Sequence, residues 1–271
     1  MSHRVPGRVG VALLLLPLLA GAAACGGQGH AVPGVQDMDL VSDDRVLTVC
    51  TDVPYPPYQF EDPDSDLGYA GFDIDLVSEV ARRLDLEPRI VTTGFERIQS
   101  GAALESGECD LAAAAVSITA ERAERVAFST PYHADQQSVL ARRDGPVRDL
   151  GGLRGRRLAV QDGSSGQRLA EDELRVEVGE LVVRSGAGRL VEELRSAEVD
   201  AVLQDLAANT ALAEEHDDLE VVAVLDTGEQ LGLAVVPDRD DQLLAAIDRA
   251  LRDLTRDGTL EELAARWFPD L

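Results

Sequence analysis

Lysine is absent from this chain of 271 residues, so all 25 basic residues are arginine. This absence excludes Schiff-base chemistry on a lysine and phosphate binding through the lysine of a P-loop. Basic residues are also outnumbered, because 50 acidic residues bring the formal net charge to −25. A surface of that charge repels the phosphates of nucleic acids, so we predict no nucleic-acid partner.

Histidine and cysteine are scarce as well, with four and three residues, and none of them are spaced like the ligands of a metal site. His133 is the histidine nearest to the crossing between two lobes that we predict near residues 135–138. The chain has no Gly-x-Ser-x-Gly motif, and the segment Gly163–Gly166 lacks plausible partners for a catalytic triad. We therefore predict no metal, no cofactor, no catalytic residue and no enzymatic activity.

The longest apolar segment stands at the N-terminus. Arg4 and Arg8 precede the apolar residues 9–20, and small residues follow as far as Ala24. This order is typical of a secretory signal peptide, which we predict over residues 1–24. The segment is too short for a comfortable membrane span, which needs about 20 residues.

Cys25 directly follows these small residues and resembles the lipid-modified cysteine of bacterial lipoproteins, although Ala22 stands where leucine is more usual. We predict a lipidated Cys25 and a flexible tether over residues 25–44, which holds the protein at the outer face of the cell membrane. The alternative is a cleaved signal peptide followed by an incidental cysteine.

Cys50 and Cys109 are the remaining cysteines, and in an exported protein such a pair suggests a disulfide bond. The opposing argument is that Cys50 falls near the end of one predicted strand and Cys109 near the start of another. If those strands are parallel neighbours, the two cysteines can be offset by several residues. A Cα separation beyond about 7 Å would exclude the bond.

Strand and helix patterns alternate twice along the chain, which predicts two α/β lobes with parallel pairing and helices on both faces. The first half has predicted strands at 46–50, 89–93 and 110–116 and helices at 73–84 and 98–106. The second has strands at 157–161, 180–184 and 200–204 and helices after 163–165, at 188–196 and up to about 215.

Further strand patterns at 137–141 and 230–236 predict that the chain crosses between the lobes twice, near 135–138 and 228–231. Helices at about 239–256 and 258–267 would then return to the first lobe. We predict that lobe 1 comprises residues 45–135 and 231–271, and that lobe 2 comprises residues 136–230.

Specific motifs follow the predicted strands, where open α/β sheets bind their ligands. In order they are Asp-x-x-Tyr-x-Pro-Tyr at 52–58, Gly-Phe-Asp-Ile-Asp-Leu at 71–76, Ser-Ile-Thr-x-x-Arg at 117–122 and Leu-Gln-Asp at 203–205. Over nearly all of residues 46–268, the chain resembles the polar amino-acid family (family 3) of bacterial extracellular solute-binding proteins of ABC transporters. The resemblance implies a two-lobed periplasmic-binding-protein-like (type II) α/β fold with two crossover hinge strands.

The resemblance also implies how a free amino acid is held. Arg122 offers a bidentate fork to the ligand's carboxylate, with Ser117 nearby. Ser164 and Ser165 open a helix whose backbone N–H groups face the same carboxylate from the other lobe. Asp205, aided by the carbonyl of Ala115, accepts from the ligand's ammonium, so that only a zwitterion satisfies both lobes and favours closure.

Each of these residues has a plainer alternative. Arg122 can be an exposed charge at a helix start, Asp205 and the two serines can be helix caps, and Tyr55 and Phe95 can belong to the core. Asp73 and Asp75 fit helix-start acids better than ligands.

The side-chain pocket is expected to comprise Asp52, Tyr55, Phe95 and Gln161. Aromatic faces attract cations, and Asp52 can accept from a guanidinium, an ammonium or an amide. No basic residue stands at these positions, although Arg97 is near in sequence. We therefore rank arginine, lysine, ornithine and glutamine above glutamate and aspartate.

Delivery of the amino acid to an ABC transporter permease by a monomer is the predicted function. One alternative is an enzyme of the same fold, such as a cyclohexadienyl-type dehydratase, with Asp52 or Asp205 as acid or base. Another is a subunit that reports the ligand to a membrane receptor.

Overall fold

The structure, a computed structural model, describes Val41 and residues 45–174, 178–237 and 241–269. The predicted signal peptide, Cys25 and every residue of the predicted tether other than Val41 lie outside these residues. Among the helices that the structure describes, none combines the length and apolar character needed to cross a membrane.

The strands are β1 (Val46–Thr51), β2 (Phe60–Glu61), β3 (Tyr69–Ala70), β4 (Glu87–Thr92), β5 (Leu111–Ala112), β6 (Ala127–Phe128), β7 (His133–Arg142), β8 (Arg157–Gln161), β9 (Glu180–Arg184), β10 (Ala201–Asp205), β11 (Leu219–Leu231) and β12 (Ala234–Val235). The α-helices are α1 (Phe72–Leu84), α2 (Phe95–Gln99), α3 (Ala102–Glu105), α4 (Ser165–Leu169), α5 (Ala187–Arg195), α6 (Leu206–Glu215), α7 (Asp241–Arg256) and α8 (Thr259–Trp267).

The first lobe is built on a five-stranded sheet of order β4-β1-β5-β12-β6. Strand β1 pairs in parallel with β4 and β5, while β12 is antiparallel to β5 and β6. Helices α1, α7 and α8 cover one face of the sheet, where Leu76 and Leu251 pack into a single apolar core. A second cluster around Phe95 and Ile98 covers the other face, as the prediction of two covered faces requires.

The second lobe is built on a five-stranded sheet of order β11-β7-β10-β8-β9. Strands β8, β9 and β10 are parallel, and β7 runs antiparallel to both β10 and β11. Apolar clusters again lie on both faces, with Val160 and Leu203 on one side and Leu190 and Val202 on the other.

Strands β7 and β11, called the hinge strands below, carry the chain between the lobes. His133 at the start of β7 pairs with Leu231 at the end of β11, and Leu231 also forms a bridge with Ser117 of the first lobe. The chain thus leaves the first sheet after Phe128 and returns to it at Ala234. Two crossing strands are what the sequence predicts.

Three predicted elements differ from the structure. The predicted strand at 110–116 is paired only over Leu111–Ala112, and the predicted helix at 98–106 is divided into α2 and α3. The predicted strand at 230–236 is interrupted after Leu231, where Gly232 packs so closely that a Cβ would lie 2.9 Å from the Ile118 side chain.

Cys50 and Cys109 form a disulfide bond, with their Cα atoms 5.6 Å apart. The bond joins the buried end of β1 to the turn before β5, and both residues belong to the apolar cluster that contains Phe95. It therefore fixes the part of the first lobe from which several site residues project.

Replacing both cysteines by serine should lower the free energy of unfolding by about 2–4 kcal/mol, because the bond closes a long loop in the unfolded chain. The sequence separation of the two residues is 59. Urea denaturation of the oxidised wild type, the reduced wild type and the double variant would measure the loss. A difference below about 0.5 kcal/mol would contradict a stabilising role.

Candidate functional site

A cavity lies between the two lobes, beyond the carboxyl ends of β1, β8 and β10. This is the position at which open α/β sheets bind ligands. Its lining is polar at both ends and aromatic at one side. The lining residues are Asp52, Tyr55, Gln59, Phe95, Ala114, Ala115, Ser117, Gln137, Gln161, Ser164, Ser165, Gly166, Gln204 and Asp205.

Asp52 marks one end of the cavity, directly after β1. Its carboxylate accepts a hydrogen bond of 2.7 Å from Gln161 Nε2 of the second lobe, and its carbonyl accepts one of 3.1 Å from Gln59. Burial raises the pKa of Asp52 to about 6, although the hydrogen bond from Gln161 acts to lower it. A ligand cation at this end would stabilise the ionised carboxylate.

Asp205 marks the other end, at the last residue of β10. Tyr55 Oη donates to Asp205 Oδ2 over 2.9 Å, and Gln137 Nε2 donates to Asp205 Oδ1. Burial raises the pKa of Asp205 well above its ordinary value, and the carboxylates of Asp135 and Glu229 raise it further. This end of the cavity therefore favours a positive ligand group.

Arg122 is a buried guanidinium behind the cavity wall, and its side chain is among the largest of the fully buried ones. Its Nη1 donates to the Ser117 carbonyl over 2.8 Å, and its Nη2 donates to the Gly163 carbonyl over 2.9 Å. The Nε atom is buried without a hydrogen-bond partner. Its carbon Cζ lies 5.3 Å from the centre of the Phe95 ring.

Burial, assisted by the nearby charge of Arg168, lowers the pKa of Arg122 to about 10. The side chain thus stays a cation at neutral pH. Its bonds to two carbonyls and its free Nε–H leave it without a full anionic partner among these contacts, so it can exchange a carbonyl for a ligand carboxylate.

The start of α4 brings further donors to the cavity. Ser164 caps the helix, because its Oγ accepts a hydrogen bond of 3.0 Å from the Gln167 backbone N–H. The Ser165 hydroxyl accepts hydrogen bonds from Gln137 Nε2 at 3.2 Å and from Ser117 Oγ at 3.3 Å. Ser164 is therefore a helix cap, which is compatible with the anion binding expected of the adjacent backbone N–H groups.

Ala115 reaches the cavity because the chain leaves the first sheet there. Its φ of 48° lies in the left-handed region, which ends the strand geometry after β5. Asp73 in the first turn of α1 holds this turn, since it accepts from the Ala115 backbone N–H at 2.7 Å and from Tyr132 Oη at 2.9 Å. Asp73 is thus a fully buried acid that shapes the cavity from behind.

Several polar contacts join the lobes across the cavity. Gln161 bonds to Asp52, Tyr55 bonds to Asp205, and Arg122 bonds to Gly163. With these contacts in place the cavity measures about 20 Å³, on the scale of a water molecule. A ligand of several heavy atoms therefore fits only when the lobes separate and these contacts open.

The structure brings the predicted ligand-binding residues together: all of them except Arg122 line the cavity, and Arg122 lies behind it. Sequence reasoning missed Gln59, Gln137 and Gln204. Gln59 directly follows the motif at 52–58, and Gln204 is the middle residue of the Leu-Gln-Asp motif at 203–205. For Gln137, the sequence indicated only a place at the start of a predicted strand and no role in a ligand site. Arg97 pairs with Glu108 outside this lining.

Comparison with known proteins gives a family match. Residues 47–270 match the family model for "Bacterial extracellular solute-binding proteins, family 3". The match covers both lobes and every residue that lines the cavity.

Individual relatives are similar over most of their length. The arginine-binding extracellular protein ArtP of Bacillus subtilis (strain 168) is 27% identical, with 93% of this chain and 97% of the relative covered. The lysine/arginine/ornithine-binding periplasmic protein of Escherichia coli (strain K12) is 26% identical, with 94% and 96% covered. The solved structure of an ancestral arginine-binding protein bound to arginine has a TM-score of 0.75 and 30% identity, with 83% of this chain and 99% of that chain covered.

Proposed function

This chain belongs to the bacterial extracellular solute-binding proteins, family 3, and on that premise we propose that it captures one free amino acid between its lobes and delivers it to an ABC importer. The observation that carries the proposal is the opposition of charges around the cavity. Arg122 lies on the first lobe, Asp205 lies on the second, and both are almost completely buried.

A zwitterion is the ligand that suits this opposition. Its carboxylate would replace a carbonyl on Arg122 and would face the backbone N–H groups at the start of α4. Its ammonium would donate to Asp205 and to the carbonyl of Ala115. Since the two charged residues belong to different lobes, the ligand interacts with both only when the lobes close, and this difference shifts the equilibrium toward closure.

The ligand class follows from the count of charges. Asp52 and Asp205 are carboxylates in the cavity lining, and Arg122 is the guanidinium behind that lining, where it bonds to the Ser117 and Gly163 carbonyls. Arginine, lysine and ornithine have the complementary set of one carboxylate and two cations. Their preference is supported by relatives described as binding arginine, lysine and ornithine. Glutamine ranks next, because its amide can donate to Asp52.

The protein acts as an exported, lipid-anchored monomer in this proposal. The signal peptide at residues 1–24 directs export, Cys25 carries the lipid, and residues 25–44 give the binding domain freedom to reach a membrane permease. The amino acid leaves the cavity chemically unchanged, because Asp52 and Asp205 hold its cationic groups and do not act as acid or base.

Calorimetry of the purified domain against the twenty amino acids, ornithine and citrulline tests the proposal. We expect one ligand molecule per chain, tightest binding for a cationic amino acid, and recovery of the ligand unchanged. Absence of both binding heat and thermal stabilisation across the panel would contradict amino-acid capture.

Replacing Asp52 by asparagine should weaken binding of L-arginine by about tenfold to a hundredfold, because a charge-assisted hydrogen bond contributes about 1.5–3 kcal/mol. Binding of L-glutamine should change by less than about threefold, since asparagine can still accept from an amide. Competition calorimetry measures both affinities on the same preparation. Equal weakening for the two ligands would show that Asp52 does not contact the side chain.

A further inference from the structure

The amide of Gln137 connects the hinge to the cavity. Gln137 lies on β7 with 1% of its surface exposed. Its Nε2 is within hydrogen-bonding distance of three acceptors, namely Asp205 Oδ1, Glu229 Oε2 at 2.8 Å and Ser165 Oγ at 3.2 Å. An amide nitrogen has only two hydrogens, so these acceptors compete. The two carboxylates are the stronger acceptors, and they orient the amide.

Glu229 reaches Gln137 because of an irregularity in β11. Leu225 pairs with Gln137 and Glu229 pairs with Asp135, so that residues 226–228 leave the ladder. Gly228 in this bulge has a φ of 62°, a conformation that glycine adopts readily. The bulge brings the half-buried carboxylate of Glu229 on the second hinge strand within 2.8 Å of Gln137 Nε2.

A second cavity lies at the hinge, and Glu229, Asp135 and His133 are among its lining residues. Gln137 lines the ligand cavity and bonds to Glu229. This side chain therefore links the ligand site to a carboxylate of the hinge cavity.

More acidic than basic groups surround Asp205. Asp135 and Glu229 act on it from the hinge strands, Tyr55 and Tyr58 from the loop after β1, Tyr132 from the residue before β7, and Arg122 from the first lobe. Asp135 is itself held by hydrogen bonds from Tyr58 Oη and from the Gln136 backbone N–H. The nearest carboxylates thus outnumber the single cation in this set, and a ligand ammonium would reduce the imbalance.

We propose that Gln137 and Glu229 are positioning residues of the ligand site: Glu229 orients the Gln137 amide, Gln137 orients the Asp205 carboxylate, and the charge of Glu229 strengthens the attraction for the ligand's ammonium. This inference rests on the proposed function, because it assigns the ammonium to Asp205. It extends the site beyond the residues that contact the ligand and into both hinge strands.

A pH dependence follows from this arrangement. In the free protein the surrounding carboxylates and burial raise the pKa of Asp205. A bound ammonium lowers that pKa, so binding releases a proton, and affinity falls as the pH drops through the pKa of the free protein. Loss of the Glu229 charge lowers the pKa of Asp205 in the free protein and moves this fall in affinity to lower pH.

Glu229→Gln is the informative variant, because glutamine keeps the acceptor for Gln137 and removes only the charge. L-arginine and L-glutamine are the probes, titrated calorimetrically between pH 5 and pH 8. At pH 7.5 we expect about tenfold weaker binding of both, since the ammonium is common to them and the charge acts through a partly screened medium. The pH at which affinity is halved should move down by about one unit.

Three further variants control the experiment. Glu229→Asp keeps the charge and should restore the wild-type pH profile. Glu220→Gln removes an acid from the same strand that pairs with Arg143 and Arg148, and it should leave both affinities unchanged. Gln137→Ala, checked for folding by circular dichroism, should weaken both ligands by about tenfold or more, because it removes a donor to a charged group.

The outcomes separate this inference from the proposed function. Wild-type protein that binds neither these probes nor any other amino acid would contradict the function itself. Wild-type protein that binds, together with a Glu229→Gln variant whose affinity and pH profile coincide with it, would overturn the positioning role while the function stands.

Discussion

Replacing Arg122 by alanine should weaken amino-acid binding by about 10²- to 10⁴-fold while the protein remains folded. A bidentate guanidinium forms two charge-assisted hydrogen bonds to a carboxylate, each contributing about 1.5–3 kcal/mol. The side chain also bonds to the carbonyls of Ser117 and Gly163. A modest drop in melting temperature is therefore expected as well, and affinity must be measured on protein shown to be folded.

Two companion variants make the Arg122 result specific. Arg122→Lys keeps the charge and loses the planar fork, so its affinity should lie between those of the wild type and the alanine variant. Arg125→Ala removes a neighbouring arginine that pairs with Glu121 at the surface, and its affinity should match the wild type. An Arg122→Ala protein that binds as tightly as the wild type would remove Arg122 from the site.

Replacing Asp205 by asparagine should weaken binding of every amino acid by about 10²- to 10³-fold, because a buried ammonium that loses its carboxylate costs about 3–4 kcal/mol. The free protein should melt no lower than the wild type. Asparagine still accepts from Tyr55, and the substitution removes a buried charge that lies close to Asp135 and Glu229. A variant that loses ligand affinity and keeps its melting temperature identifies a side chain whose role is in ligand binding and not in folding.

Asp200→Asn is the matched contrast at the opposite end of β10. Asp200 is a buried acid outside the cavity lining, and it pairs with Arg157 over 3.2 Å. Its replacement should lower the melting temperature and leave the affinity of the folded protein unchanged. Thermal melts and calorimetry on the two variants measure both quantities. The same pattern in Asp205→Asn would show that Asp205 serves the fold.

The elements that were predicted well are those whose signal is local. Helix α1 was predicted at 73–84 and spans Phe72–Leu84, because its apolar residues recur at helical spacing along one buried face. Strand β9 matches its predicted bounds of 180–184. The site residues in the motifs after β1, β8 and β10 were predictable because strand ends bring short loops to one edge of each sheet.

The elements that were predicted poorly depend on contacts distant in sequence. Residues 111–116 form a continuous apolar run, but the turn at Ala115 is set by Asp73, 42 residues away. The predicted helix at 98–106 breaks at Gly101, where φ is 80° and a Cβ would lie 3.1 Å from the Arg125 carbonyl oxygen. Hydrophobic periodicity in the sequence does not indicate such contacts between distant residues.

Gln137 shows why part of the site was missed. Its predicted role was that of a strand residue, which is correct for its backbone. Its place beside Asp205 depends on the pairing of β7 with β10, and its contact with Glu229 depends on the bulge in β11; both are long-range features. Glutamine is also common on protein surfaces, so residue type alone gave no reason to assign it to a ligand site.

A crystal structure of the domain with bound L-arginine is the most direct test of amino-acid capture between the lobes. We expect the α-carboxylate on the Arg122 guanidinium, the α-ammonium on Asp205 and the ligand's guanidinium beside Asp52, with the bond from Arg122 to the Gly163 carbonyl exchanged for the ligand. Arginine bound with its carboxylate away from Arg122, or bound outside the space between the lobes, would contradict it.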